Sequence, residues 1–516
     1  MANTRYRGKQ MKNFIRSNLL LLCLTACLTL SNSVIADSTS SSLRGKITGP
    51  QGNPAPNTKL TIIHNPSGTV RETQTNDVGT FSVKGLRVGG PYTVVIDSEK
   101  FNDTMEEGII LKLGEAFRLN IDLKETSQNI ETIVVTGSSQ AYISTGSNSS
   151  FGASEIARAP AFNRDLKDIV KNNPLAVVDE SGGLSFGGSN PKYNSITIDG
   201  IGQNDDFGLN TSGYPTQRSP ISLDAVDQIA VDSSPFTAKV GGFSGGSVNV
   251  VTKSGTNEFK GSFFYEFMNE DMAGDPKSKL LEDSDQNFDV GKQSTLGLSF
   301  GGPLINDELF FFVSLEQFKK EAPAPFGIGS GSTPSDISQA TFDEFSDILS
   351  QTYNLTDSLG SDPKDEDDKF LVKLDWNINQ HHRADFTFQY QDNQEDRNYT
   401  DSDDELKLAS NGYKYKTVLR NFASHIYSDW NDDFSTEVSM SLKNTRTDSL
   451  TSSNLGEVNV RVPDGDIVFG VDAFRHANVA ETTTLKLHLD ANYLMGDHEI
   501  KFGIHSERLR LYNLFV

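Results

Sequence analysis

The chain has 516 residues and a formal net charge of -23, and its length predicts several domains rather than one core. The acidic balance argues against a nucleic-acid partner, because phosphate binding requires a basic surface. No uninterrupted apolar stretch reaches the length of a membrane-spanning helix, whereas a β-barrel stays compatible, because only every second residue of its strands faces lipid.

Residues 1–36 have the pattern of a secretion signal. Basic residues precede an apolar run from Leu19 to Leu30, and Val34-Ile35-Ala36 offers small residues for cleavage. A membrane-anchor helix and lipidation at Cys27 are the alternatives. Cys23 and Cys27 are the only cysteines, so we expect no disulfide framework and no cysteine-ligated metal site in the mature chain.

Residues 43–124 predict a small β-sandwich. Apolar and polar residues alternate in short segments such as Lys59–Ile63, with Gly, Asn and Pro at the turns between them. The order GxIxGxxGxP, DxGxF and GxPYxVxI resembles the carboxypeptidase regulatory-like domain, which implies a carbohydrate-binding-like fold. A spacer or docking role and glycan binding both stay open, and no catalytic constellation is visible.

Residues 125–150 read as a flexible linker that contains one β-branched run, Ile130–Gly137. Such a run has no local core to join, which favours strand addition to the sheet edge of a partner. An additional strand of the preceding sandwich is the alternative. The run resembles the TonB box of TonB-dependent outer-membrane receptors. The resemblance implies that TonB, driven by its inner-membrane complex, binds Glu131, Thr132, Ile133, Val134, Val135 and Thr136.

Residues 151–256 predict a short helix, several strands and a glycine-rich end. Asn163 is expected to cap a helix that places Leu166, Ile169 and Val170 on one face. The glycine-rich stretch lacks the GxxxxGK[ST] spacing of a nucleotide-binding loop. In order, RDLKDIV, GSNPKYNSITIDGIGQNDDFGLN, YPTQRSPISLDAVDQI and GGFSGGSVNVVTKSGTNEF resemble the plug domain of these receptors, in its Oar-like branch.

The resemblance implies that this α/β plug fills a barrel lumen and contributes to a substrate site. Four polar residues on one loop are candidates for substrate contact: Asn204, Asp205, Asp206 and Asn210. Solvation at the surface is the alternative for these side chains.

The residue pattern in 257–516 predicts the first part of an antiparallel transmembrane β-barrel. Apolar residues alternate with polar ones, as in Phe370–Asn377, in strands of roughly ten residues that short turns and long polar loops connect in alternation. We expect about nine strands. Because complete barrels have an even strand number, and the family resemblance implies twenty-two, we expect an incomplete barrel.

Two features of the loops carry further expectations. The acidic stretches Asp362–Asp368 and Asp401–Glu405 are assigned to external loops, either solvated or holding divalent cations. A helix is expected to begin near Thr333-Pro334, with Ile337, Phe345, Ile348 and Leu349 on its apolar face.

The predicted function is energy-coupled uptake of a siderophore, glycan or peptide across the outer membrane, with the N-terminal domain in the periplasm. The alternative is a surface-binding or adhesive protein. The expected partners are TonB, outer-membrane lipid and an extracellular substrate. We expect no catalytic residues, no cofactor and no bound metal.

Overall fold

The computed structural model describes residues 39–98, 100–125, 133–134, 141–143, 148–161, 163–179, 182–233, 239, 241–273, 291–329, 333–475 and 477–515. The predicted secretion signal lies outside these residues. Within them, no helix has both the length and the apolar character needed to cross a membrane.

The N-terminal unit is a β-sandwich of two sheets. One sheet has the order β4-β1-β7-β10 with β8 beside β1, and the other has the order β3-β2-β5-β6-β9. Both sheets contribute to one apolar core, which includes Leu43, Phe81 and Val94. The strands are β1 Ser41–Thr48, β2 Lys59–His64, β3 Thr69–Gln74, β4 Thr80–Leu86, β5 Gly89–Asp97, β6 Thr104–Leu111, β7 Ala116–Arg118, β8 Ile121–Asp122, β9 Ile133–Val134 and β10 Ala141–Ile143.

The second unit is a small α/β domain with a five-stranded sheet in the order β11-β16-β17-β14-β15 and a separate β12-β13 hairpin. Its core is apolar and includes Ile169, Ile198 and Val250. The elements are β11 Asn148–Gly152, α1 Ala153–Ile156, α2 Leu166–Val170, β12 Ala176–Val178, β13 Leu184–Phe186, β14 Ser195–Ile198, β15 Ile201–Gly202, β16 Val226–Asp232 and β17 Ser247–Thr252.

The predicted helix face in this unit is confirmed, but the predicted cap is wrong. Leu166, Ile169 and Val170 are buried. Helix α2 is capped by Asp165 rather than Asn163, because Asp165 is the last extended residue before the helix and its carboxylate accepts a hydrogen bond from the backbone N–H of Lys167 at 2.9 Å.

The third unit is a nine-stranded antiparallel sheet in which every strand pairs with its neighbours in chain order. Its strands are β18 Lys260–Met268, β19 Lys292–Ile305, β20 Leu309–Glu321, β23 Lys364–Asn377, β24 His382–Arg397, β26 Tyr413–Asn431, β27 Phe434–Thr451, β30 Val479–Met495 and β31 His498–Leu514. The connections between them contain α3 Glu270–Ala273, β21 Phe326–Gly327, β22 Thr333–Pro334, α4 Gln339–Tyr353, β25 Glu405–Lys407, β28 Val458–Val462 and β29 Gly465–Phe469.

Burial along these strands is the reverse of that in a soluble sandwich. On β23, Lys373 and Asp375 are buried, whereas Trp376 is 45% exposed. Outward apolar residues such as Phe263 and Phe502 are also more than half exposed. An apolar outer face around a polar interior is the arrangement of a strand-built membrane protein, because lipid rather than water surrounds it.

The connections confirm the predicted alternation of short and long. Short turns join β23 to β24 and β30 to β31 at one end of the sheet, here called the turn end. Long connections, including the one with α4, lie at the opposite loop end.

The structure corrects two expectations about the loops. Helix α4 begins at Gln339 with Ser338 as its cap, because Thr333–Pro334 instead forms a short strand beside Phe326–Gly327. Ile348 does not lie on the buried face of the helix, since it is 50% exposed.

The acidic stretch assigned to a loop lies largely in a strand. Residues 365–368 belong to β23, and Asp367 points inward and is 1% exposed. The expectation of a surface cluster was wrong for this residue, because strand alternation continues through the run of acidic side chains.

Candidate functional site

The candidate site is the joint between the α/β unit and the inner face of the nine-stranded sheet. On the side of the α/β unit it is formed by residues 203–219, here called the plug loop. This loop follows β15 and contains all four residues that the sequence selected.

Three of the four selected side chains fix the plug loop: Asn204 ties its start to residues 194–196, and Asp205 and Asn210 form hydrogen bonds within it. The side-chain amide of Asn204 accepts a hydrogen bond from the N–H of Ile196 at 3.0 Å and donates one to the carbonyl of Asn194. The Asp205 carboxylate accepts from the N–H of Asn210 at 2.8 Å. The Asn210 amide in turn donates to two loop carbonyls. These contacts fix the conformation of the loop.

The fourth side chain, Asp206, reaches the sheet. Its carboxylate lies 2.8 Å from the Nζ of Lys443 on β27 and accepts a hydrogen bond from the hydroxyl of Thr484 at 3.1 Å. Lys443 also donates to the backbone carbonyl of Asn204 at 2.9 Å. The structure therefore brings the four residues together on one loop, and their contact with a substrate stays a prediction.

The rest of the plug loop meets the sheet through polar contacts that sequence reasoning missed. Thr216 hydrogen-bonds Gln391 at 3.0 Å, and the N–H of Gln217 donates to Asn393 at 3.1 Å. The guanidinium of Arg218 lies over the ring of Phe318, 3.4 Å from its centroid. The signal that could have found Gln391 and Asn393 is the polar half of the alternation in β24, since those positions face inward. Phe318 lies on β20 and carries no such signal, because it is an inward apolar residue.

Apolar burial holds the α/β unit together, whereas mainly polar contacts hold it to the sheet. Among the described residues its core contains 20 buried hydrophobic residues, of which Phe312 and Leu371 come from the sheet. Because a hydrogen bond exchanged with water costs only about 0.5–1.5 kcal/mol net, this joint can open while the core of the unit stays intact.

The sandwich closes the joint at the turn end of the sheet. Arg87 lies 3.4 Å from the carboxylate of Asp375 and donates to Asn377 at 3.2 Å. Burial lowers the pKa of Arg87, and the charge of Asp375 opposes that shift. The side chain of Gln228 in the α/β unit donates to the carbonyl of Leu111 and accepts from the N–H of Leu113. All three units therefore meet at this end.

Of the predicted TonB-binding residues, only Ile133 and Val134 lie among the described residues. They form β9, which pairs in parallel with β6 through Ile133 opposite Thr104 and Val134 opposite Met105. The two residues thus extend the sheet of the sandwich, as expected for an additional sandwich strand. Glu131, Thr132, Val135 and Thr136 lie outside the described residues, and binding of TonB stays a prediction.

The loop end of the sheet contains a cavity of about 810 Å³ that the sequence did not indicate. Its lining comes from the ends of strands β24 and β26 and from the connections around them, and includes Arg397, Tyr399, Asp472 and Arg475. Because these residues lie far apart in the chain, only the strand order brings them together.

Comparisons with known proteins agree with this architecture. The model of the carboxypeptidase regulatory-like domain matches residues 42–124, and that of an outer membrane beta barrel domain matches residues 251–358. The TonB-dependent transporter Oar of Myxococcus xanthus is 27% identical over 241 residues, which are 43% of this chain and 21% of Oar.

A solved structure shows a similar fold over most of this chain. The outer membrane transporter YddB from Escherichia coli superposes with a TM-score of 0.51 at 12% identity, over 71% of this chain and 48% of YddB. The siderophore receptor PirA from Acinetobacter baumannii gives a TM-score of 0.46 at 17% identity, over 71% of this chain and 48% of PirA. The chain thus spans about half the length of these solved structures and about a fifth of the curated relative.

Together these comparisons place two domains in the chain. It contains a carboxypeptidase regulatory-like domain and an outer-membrane β-barrel segment, and part of it is similar to the TonB-dependent transporter Oar.

Proposed function

We propose that the protein takes up an extracellular substrate across the outer membrane with energy supplied through TonB. The observation that carries this proposal is a difference in the contacts of the α/β unit, which is the plug of this proposal. Its interior is an apolar core, whereas hydrogen bonds and ion pairs such as Asp206–Lys443 hold it to the nine-stranded sheet. Such a joint separates at low net cost because water replaces the lost polar partners.

Domain roles follow from this proposal. Residues 1–36 direct secretion, residues 43–124 form a periplasmic sandwich, residues 125–150 carry the TonB box, residues 151–256 are the plug, and residues 257–516 supply barrel strands. Asn204, Asp205, Asp206 and Asn210 contribute to the substrate site from the plug loop. A siderophore, a glycan and a peptide all fit the proposal.

Coupling uses Glu131, Thr132, Ile133, Val134, Val135 and Thr136. Strand pairing of Ile133 and Val134 with β6 supports this role, because it demonstrates an extended segment able to add to a sheet edge. Among the described residues β9 is the last strand of its sheet, so the edge of the segment that does not pair with β6 can receive a strand of TonB.

The test is binding of the full chain in detergent to the purified periplasmic domain of TonB. Val134→Pro is expected to abolish binding, because proline removes a backbone donor needed for strand pairing. Ser127→Pro, in the linker before the box, is the matched control and should bind as the unchanged chain does. Equal binding by Val134→Pro and the unchanged chain would contradict the coupling and favour the adhesive alternative.

A further inference from the structure

Two histidines and one aspartate from β30 and β31 converge on the inner face of the sheet. His488 and His505 are direct cross-strand partners, and their ring centroids lie 4.5 Å apart. Asp490 follows His488 by two residues and therefore lies on the same face of the strand. Its Oδ1 lies 2.8 Å from the Nε2 of His505.

The backbone opposite Asp490 leaves room for this arrangement. The cross-strand partner of Asp490 is Gly503. A Cβ atom at that position would lie 2.7 Å from the Asp490 Oδ1, which is closer than real Cβ contacts allow. Because the glycine has no side chain, the carboxylate can turn across the pair of strands toward His505.

We propose that His488, Asp490 and His505 form a binding site for a divalent transition-metal ion such as Zn²⁺. One ligand atom from each residue lies within 4.8 Å of the other two, a separation that small side-chain movements close to coordination distance. Two imidazoles and one carboxylate suit Zn²⁺ and its neighbours better than Ca²⁺ or Mg²⁺, which prefer all-oxygen sites. Three protein ligands leave a fourth position for water or an exchanging ligand.

The carboxylates of Asp490 and Glu437 already stabilise one positive charge next to the proposed site. Lys239 of the plug lies 3.4 Å from Asp490 and 2.8 Å from Glu437. A metal ion on Asp490 therefore competes with the Lys239 ammonium for one carboxylate. Occupancy of the site is therefore linked to the position of the Lys239 ammonium.

The test uses the full chain in detergent, stripped of metal with a chelator and titrated with Co²⁺ as a visible probe and with Zn²⁺ as competitor. We expect one strong site per chain. His505→Ala and Asp490→Asn should each weaken Co²⁺ binding by more than about tenfold, since even loss of a residue that merely orients a ligand costs about 10–100-fold. His381→Ala, which removes an exposed imidazole at a turn, is the control and should change nothing.

Lys239→Gln is expected to raise the affinity for Co²⁺. A misfolded variant would bind Co²⁺ more weakly, so misfolding cannot produce this result. Removing the competing ammonium should tighten Co²⁺ binding, by about tenfold for a charge this close. Co²⁺ binding that is equal in the unchanged chain and in His505→Ala would overturn the proposal, as would weaker binding in Lys239→Gln.

Discussion

Lys443 on β27 and Asp206 on the plug loop form an ion pair of 2.8 Å across the joint between the nine-stranded sheet and the α/β unit. The Lys443 side chain is only 4% exposed, so its charge depends on Asp206 and on the carbonyl of Asn204 for stabilisation. This pair is therefore a point at which plug and wall are held together by charge.

Asp206→Ala should loosen the plug loop. The change leaves the Lys443 ammonium buried without its counter-charge, which typically costs about 2–5 kcal/mol. The backbone amides of residues 203–219 should then exchange with deuterium faster than in the unchanged chain. Lys171→Ala removes the more exposed pair with Asp168 and should have an effect of at most about 1 kcal/mol. Equal exchange in the two variants would contradict the role of the pair.

Gln228→Leu should open the contact between sandwich and plug. It leaves the buried N–H of Leu113 without its acceptor, at a cost of about 1–3 kcal/mol. The amide of Leu113 reports this directly, because its exchange rate should rise. Gln228→Glu keeps an acceptor for Leu113 but loses the donor to the Leu111 carbonyl and buries a carboxylate, so its exchange rate at Leu113 should lie between those of the unchanged chain and Gln228→Leu. Slow exchange of Leu113 in Gln228→Leu would show that this hydrogen bond does not hold the joint.

The stability of the sandwich should fall as the pH falls below 6.5. Burial, followed by the charges of Arg87 and Arg383, lowers the pKa of His64 from 6.5 to about 3. Between these values the unfolded chain binds a proton that the folded chain does not, so the free energy of unfolding decreases by up to about 1.4 kcal/mol per pH unit. The stability is fully present above pH 6.5.

Hydrogen exchange in β5, corrected for the intrinsic effect of pH, measures this dependence between pH 5 and pH 7. His64→Gln removes the titrating group and should flatten the slope in that window. A slope that persists unchanged in the variant would assign the pH dependence to other groups.

Ser338→Ala should destabilise the start of helix α4. The Ser338 hydroxyl accepts a hydrogen bond from the N–H of Thr341 at 3.2 Å, and loss of such a cap costs about 1 kcal/mol. The Thr341 amide should exchange faster. Ser350→Ala, farther along the same helix, should leave that amide protected, and equal effects of the two changes would argue against a cap at Ser338.

Much of the barrel sheet could be predicted from the sequence, because its physical rule is local. Alternation of period two places Phe370 outward and Lys373 inward without knowledge of any partner strand. The rule was misapplied at Asp367, where consecutive acidic residues hide the alternation. The cap of α2 was misplaced by two residues because Asn163 and Asp165 are both good capping residues, and only the backbone distinguishes them.

The contacts between distant segments could not be predicted in this way. The pairing of Asp206 with Lys443 depends on how the α/β unit lies against the inner face of the nine-stranded sheet, and no local pattern encodes that placement. The pairing of His488 with His505, however, could have been predicted from the sequence. Both lie equally far from the tight turn at Gly496–Asp497, and a hairpin register is fixed by its turn.

The most direct test of the central claim is to pull on the TonB box of the membrane-inserted chain through a bound TonB domain and to record force against extension. We predict that the plug separates from the sheet first as a folded unit, with an extension far below the roughly 350–380 Å that its hundred or so residues would span if unfolded at about 3.3–3.6 Å each, while the nine-stranded sheet stays in the membrane. Asp206→Ala should lower the force of this event. Detachment of the TonB domain before any extension, or unravelling of the plug before it separates from the sheet, would contradict the account.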